Sequence, residues 1–248
     1  MLRSVRELMG YVLRATDGDI GRLKDLLFDD HQWVVRYMVV DTGRWLPGRR
    51  VLIAPVAAGR PEWENRLLPV QLSCEQIENS PTMHEHLPVS RQQEVQLSAY
   101  YGWAPYWGPI GTTVGGTAPV PVVGEAREKE DKKPQDPHLR SVCEVAGYHI
   151  HCSDNSVGRL DDFITDTGDW SIRYLIVDTR SWPRVRKVVV APQWIKHVDW
   201  ERREVLVNLT CQQLRDSPEF DPSEPVNREY ETRLYDYYGR PRYWEDRQ

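Results

Sequence analysis

The sequence predicts a mainly β protein: two consecutive copies of one small antiparallel barrel or sandwich, each ending in a short helical tail. Three observations predict it. First, Leu2-Arg3-Ser4-Val5 returns as Leu139-Arg140-Ser141-Val142, and the match runs ungapped to Trp107 and Trp244 at a constant offset of 137 residues. Roughly 40% of aligned positions are identical, and two long copies, unlike many short ones, mean two whole domains rather than a solenoid. Second, short segments rich in Val, Ile and Tyr alternate with turn clusters, without intervening amphipathic helices, which excludes a parallel α/β design. Third, each copy changes character near its end, where a capping-box pattern opens a helical region.

Each element has a local reason. Tyr11-Val12-Leu13 and Tyr148-His149-Ile150 are apolar segments followed by Asp17-Gly18-Asp19 and Asp154-Asn155-Ser156, pairs that tolerate positive φ in tight connections. Each reads as the first arm of a hairpin whose second arm, Ile20 to Asp29 in the first copy, carries alternating apolar positions. Val34 to Asp41 and Arg50 to Pro55 follow, with counterparts Ile172 to Asp178 and Lys187 to Pro192. A fifth strand is expected at Leu67 to Leu72 and at Glu204 to Leu209. Ser73-x-x-Gln76 and Thr210-x-x-Gln213 then predict a helical turn that begins with Cys74 or Cys211. The last helices should run from Arg91 to Tyr101 and from Arg228 to Tyr238, capped by Ser90 or Asn227 and stopped by Gly102 or Gly239.

Residues kept in both copies point to shared architecture. Gly21 and Gly158 follow the turn and precede Arg-Leu, where a bulge or a close backbone approach calls for glycine. The recurring Tyr11/Tyr148, Trp33/Trp170, Tyr37/Tyr174, Trp45/Trp182 and Trp63/Trp200 are large enough to close a small core. The boundaries are 1–107 for the first copy, 108–137 for a flexible Gly/Pro-rich and then charged linker, and 138–248 for the second copy. The linker's reach of roughly 30 Å lets the copies pack side by side. Because both inherit one surface, pseudo-symmetric pairing of the two copies is expected.

Composition removes several function classes. The chain of 248 residues carries a net charge of −5, without a basic stripe, so direct nucleic-acid binding is not expected. No stretch approaches the ~20 apolar residues of a membrane span. Cys74, Cys143, Cys152 and Cys211 include no C-x-x-C pair and no dense framework, which favours a reducing, cytoplasmic setting.

The ordered set Asp17-Gly18-x-x-Gly21-Arg22-Leu23-x-Asp25, Arg36-Tyr37-Met38-Val39-Val40-Asp41 and Val51-Leu52-Ile53-Ala54-Pro55 resembles the PRC-barrel family. Its counterpart, Asp154-Asn155-x-x-Gly158-Arg159-Leu160-x-Asp162, Arg173 to Asp178 and Val188 to Pro192, resembles it again. That family is named for the cytoplasmic domain of the photosynthetic reaction-centre H subunit and also supplies a domain of a ribosome-maturation factor. The resemblance implies a small β-barrel in each copy. The tail, from Pro88-Val89-x-Arg91 through Tyr100-Tyr101-Gly102 to Tyr106-Trp107, is similar to that of stand-alone bacterial members.

Candidate chemistry falls into five groups. His149 and His151 share a strand face and could begin a metal site, although zinc wants three or four ligands and exposed strand histidines are the plainer reading. His84 and His86 flank Glu85, in what reads as a solvated loop. Cys74 and Cys211 sit at helix starts, where a thiol pKa can fall, against the plainer reading of a packed small side chain. Asp17, Asp25, Asp29 and Asp41 recur as Asp154, Asp162, Asp166 and Asp178, a tempting carboxylate set whose members more often bond turn backbone. Gly111 to Gly116 lacks the Lys-Ser/Thr and helix of a phosphate loop.

The functional expectation is therefore a non-catalytic binding or scaffolding protein, with no cofactor and no required metal. Its partner surface is placed on the aromatic tails, Tyr100, Tyr101, Tyr106 and Trp107 with Tyr237, Tyr238, Tyr243 and Trp244, facing a protein partner or a second copy. Packing of these residues on their own barrels is the competing structural reading. Two alternatives stand beside it: an accessory of membrane electron-transfer or ribosome-assembly machinery, which rests on the resemblance, and a metal-dependent sensor or enzyme using His149 and His151.

Overall fold

A computed structural model describes residues 1–47, 49–81, 83–84, 89–107, 138–179, 186–222 and 224–245. The first repeat runs β1 (Leu2–Ser4), α1 (Val5–Leu8), β2 (Val12–Arg14), β3 (Asp19–Asp29), β4 (Val34–Asp41), β5 (Arg49–Ile53), β6 (Leu67–Pro69), α2 (Cys74–Glu78), β7 (Met83–His84) and α3 (Arg91–Tyr101). The second runs β8 (Leu139–Ser141), α4 (Val142–Val145), β9 (His149–His151), β10 (Ser156–Asp166), β11 (Ile172–Asp178), β12 (Lys187–Val190), β13 (Ile195–Asp199), β14 (Glu204–Val207), α5 (Cys211–Arg215) and α6 (Arg228–Tyr238). The linker, the 111–116 piece and Trp182 lie outside the described residues.

The local expectations translate closely. The boundaries of α3 and α6 fall where the caps place them, with Ser90 and Asn227 accepting the backbone N–H of Gln93 and Tyr230. Gly102 and Gly239 end these helices in the left-handed region. Both capping boxes at Ser73/Gln76 and Thr210/Gln213 are complete. The expected fourth strands, β5 and β12, stop short of the prolines, because Pro55 and Pro192, lacking an N–H, each open a single 3₁₀ turn instead. Gly21 and Gly158 face a close approach: a Cβ would lie 2.1 Å from the Asp41 carbonyl oxygen and 1.9 Å from that of Asp178.

Two seven-stranded sheets result, and they depart from the expected pair of antiparallel barrels in three ways. Neither strand path returns on itself among the described residues; the orders are β6-β2-β3-β4-β5-β7 and β12-β11-β10-β9-β14-β13. One pair in each is parallel, β2 with β6 and β9 with β14; three strands intervene in the first repeat and four in the second. The third departure joins the repeats. β3 and β10 are eleven residues long, but β2 and β9 pair only with their first portions, Asp19–Arg22 and Ser156–Arg159. The remaining edge of each is filled from the other repeat: β1 pairs with Ile164–Asp166 of β10, and β8 with Leu27–Asp29 of β3. The repeats thus exchange their N-terminal strands reciprocally.

Packing follows the exchange. One hydrophobic cluster contains residues of both repeats, from Leu2, Val5 and Leu8 to Leu234 and Tyr235, and the Phe28 and Phe163 rings meet across it at 5.9 Å. On the approximate dyad, Val34 bridges to Ser171; the Val35 N–H donates to the Trp170 carbonyl and the Ile172 N–H to that of Trp33. Trp33 and Trp170 both hold positive φ, 55° and 58°, a costly conformation for a bulky residue that recurs at the same position. A smaller cluster, Leu27, Tyr37, Val39, Leu52, Val89, Leu97 and Leu139, lies beneath α3 and includes the exchanged strand's leucine.

Candidate functional site

The exchanged strands are held by one recurring clasp. Ser4 donates its hydroxyl to Asp162, whose Oδ1 also accepts the backbone N–H of Arg6 and of Phe163. Ser141 does the same to Asp25, which accepts the N–H of Cys143 and Leu26. Burial raises the Asp162 carboxyl above its usual range despite these donors. Asp161 binds Arg6 at 2.9 Å and Lys187 at 2.6 Å, and the N-terminal ammonium binds Asp166 at 2.6 Å. At the other junction Arg140 binds Asp30 at 2.9 Å.

Each junction opens a cleft between the repeats, and the two clefts are lined by equivalent positions. One, of ≈ 810 Å³, lies among Met1, Pro55, Trp63, Thr167, Gly168 and Trp170. The other, of ≈ 340 Å³, lies among His138, Pro192, Trp200, Asp30, His31 and Trp33. Beside each cleft, outside its lining, an arginine of the exchanged strand lies over the flanking tryptophan: Arg3 over Trp63 at 4.4 Å, Arg140 over Trp200 at 4.2 Å. The chemistry of the rims differs. The larger cleft carries Arg60 and Val56, the latter 72% exposed, whereas the smaller carries Lys196 and the imidazoles of His31, His138 and His197.

The tail aromatics dock on their own repeats. Tyr106 and Tyr243 donate their hydroxyls at 2.7 Å to Glu94 and Glu231, carboxylates almost wholly buried under α3 and α6. Arg91 and Arg228 pair with the same carboxylates at 3.2 and 2.9 Å, and their guanidinium groups lie 4.2 Å over Trp107 and Trp244. Arg36 and Arg173 cover the Tyr106 and Tyr243 rings. Burial, then the adjoining carboxylate, pushes both phenols upward. Tyr101 and Tyr238 pack against the core, beside Trp103 and Trp194. Tyr100 and Tyr237 are the members left at the surface, 41% and 40% exposed, with hydroxyls donating to the Gln76 and Gln213 carbonyls.

The other candidates resolve as follows. The His149 and His151 rings lie 6.5 Å apart, and His151 Nε2 is 3.8 Å from Glu204. Glu85 and His86 lie outside the described residues, as does the His84 side chain. Asp17 and Asp154 accept the N–H of Cys74 and Cys211 at 2.7 and 2.8 Å, and Asp29, Asp41 and Asp166 accept turn N–H groups. These recurring aspartates act on backbone. The helix-start thiols move up, not down: burial and the adjoining Asp17 raise Cys74, and burial raises Cys211. Cys143 is pushed up to about 12 by burial and by Asp25.

Among the described residues, one ligand-type group converges that the sequence reading does not contain. Cys152, Asp154 and Cys211 bring their Sγ and carboxylate atoms within 4.8 Å of one another, and the two sulfurs lie 2.7 Å apart. Ala15 replaces Cys152 in the first repeat, so duplication marks Cys152 as special, yet 59 residues separate the pair in sequence. The clefts were equally illegible, since each draws on both repeats. Neither family models nor curated proteins give a match to this chain.

Proposed function

We propose that this chain is a non-catalytic binding or scaffolding protein, built from two PRC-barrel-like repeats, that engages a protein partner through its two inter-repeat clefts. The observation that carries this reading is the repetition of one cleft at both junctions, with proline and tryptophan positions kept and an arginine stacked on one tryptophan of each. Tryptophan beside arginine is the combination that dominates protein interfaces, and clefts between domains are where ligands are usually seated. The differing rims fit two unlike segments of one partner or two different partners. Equal exposure of Tyr100 and Tyr237 supports a second reading, in which the partner surface lies on the tail helices.

Affinity capture from the source cells separates the readings. Val56→Glu with Lys196→Glu changes the cleft rims and leaves the cleft tryptophans in place; Tyr100→Ala with Tyr237→Ala changes the tail face. The cleft pair is expected to reduce the captured partner about tenfold or more, while the tail pair retains it. The reverse pattern transfers the site to the tails, and undiminished capture by both variants refutes both surfaces.

A further inference from the structure

We propose that Cys152 and Cys211 form a reversible intramolecular disulfide that fastens the tail-bearing part of the second repeat. Cys152 follows β9 and Cys211 is the first residue of α5. Their sulfurs are 2.7 Å apart and buried together. A disulfide needs about 2.05 Å, whereas two thiolates on one tetrahedral zinc at about 2.3 Å each stand about 3.7 Å from one another. The observed separation lies nearer the covalent value. Asp154, the third member of the group, already accepts the Cys211 N–H at 2.8 Å.

The cross-link has a place to act. Gln213, two residues into α5 from Cys211, presents the carbonyl that receives the Tyr237 hydroxyl of α6. Joining β9 to α5 therefore fixes the platform on which that tail helix rests. The first repeat has the same platform, with Gln76 and Tyr100, but Ala15 stands in place of the second sulfur. Its Cys74 is left out of any such pair.

The oxidant is a low-molecular-weight disulfide. Cys211, the less deeply buried, loses its proton and attacks one oxidant sulfur, forming a mixed disulfide and expelling one small thiolate. Cys152 then loses its proton and attacks the Cys211 sulfur, expelling the second. The protein pair gives up two electrons, the oxidant's S–S bond is reduced, and the two protons end on the two small thiols. Burial lifts both protein thiols above their ordinary values, so exchange is slow in either direction and the cross-link, once made, persists.

The test uses the full chain, reduced, freed of reductant and incubated while folded with oxidised glutathione, then alkylated in denaturant and mapped by mass spectrometry. The expected result is loss of two of the four thiols, a linked peptide pair containing Cys152 and Cys211 that is lighter by two hydrogens, alkylated Cys74 and Cys143, and reversal by dithiothreitol. Cys152→Ala, which installs the first repeat's residue, abolishes the linked pair. Separate alkylation or separate glutathione adducts at Cys152 and Cys211, or a link to Cys74 or Cys143, overturns the proposal. Stoichiometric zinc that binds the reduced chain and protects both cysteines overturns it in favour of a metal site.

Discussion

The two repeats keep the same frame but fill the space beneath their tail helices differently. In the first, Glu94 receives the Tyr106 hydroxyl and lies 2.6 Å from the His138 ring, while Trp103 stacks on Tyr101 at 4.3 Å. In the second, Glu231 receives both Tyr174 and Tyr243. Glu94 likewise neighbours Tyr37, the counterpart of Tyr174, so the added partner of the first repeat is His138. Trp194, at the position of Ala57, packs 5.4 Å from Tyr235 and 4.7 Å from Tyr238. Tyr230 and Tyr235 replace Gln93 and Ser98. What is invariant is backbone geometry: the caps, the Gly21/Gly158 approach and the Ser–Asp clasp. Side-chain volume has been redistributed, as close-packed interiors allow when the space stays filled.

The comparison breaks most severely at the exchanged strands. Deleting residues 1–8 removes the buried Leu2, Val5 and Leu8 and is expected to cost about 5–9 kcal/mol. Although the deletion lies in the first repeat, the loss should fall on the second sheet, because β1 and α1 pack on β10. Leu8→Ala, at about 2–5 kcal/mol, gives a milder version that stays folded. Hydrogen exchange should show faster amides at Ile164–Asp166; faster exchange at Leu27–Asp29 instead would mean that the strands stay in their own repeats.

Glycine substitutions come next. Gly21→Val and Gly158→Val should each cost about 3 kcal/mol or more, since the new Cβ meets backbone that has no rotamer to yield. Gly21, at φ +147°, should suffer more than Gly158, and Gly10→Ala, at φ +79° with open space around it, only about 1–2 kcal/mol. Urea denaturation ranks the three, and equal losses would sink the close-approach account.

The smallest effect is a pH dependence. Burial works to raise Asp161 and Asp166, but their partners outweigh it: Arg6 and Lys187 for the first, the N-terminal ammonium and Gly168 N–H for the second. Both therefore lie below the ordinary carboxylate value of 3.8. Their stabilisation is present above that value and lost as pH falls through the lower folded values. At these partly exposed sites each is worth about 0.5–1 kcal/mol. Asp161→Asn/Asp166→Asn should be less stable than wild type at neutral pH and converge with it in acid; a gap that persists in acid would assign the loss to packing.

Local chemistry made much of the fold legible. Ser73/Gln76 and Thr210/Gln213 announce their helices because a cap is a contact between residues three apart. The strands Val34–Asp41 and Ile172–Asp178 agree with the sequence reading at both ends. The candidate site was less legible. Tyr106 and Tyr243 look like surface aromatics until the buried Glu94 and Glu231 are placed beneath them, and a glutamate on a helix gives no sign of burial on its own. Cys152 has Ala15 as its counterpart, but nothing in the sequence joins it to Cys211, 59 residues away.

The sequence by itself determined the duplication, the order of elements and the ends of the helices, since these follow from repeat offset, periodicity and short-range bonds. Only the tertiary structure decided the exchange of β1 and β8, the paired clefts it creates and the meeting of Cys152 with Cys211. Leu2-Arg3-Ser4 and Leu139-Arg140-Ser141 are identical, and so are the aspartates that receive them. Local interactions therefore give nearly the same free energy whether each strand joins its own sheet or the other. The choice is made by contacts far apart in sequence, the shared core around Phe28 and Phe163 and the backbone bridges at Trp33 and Trp170, which exist only when both repeats are folded together.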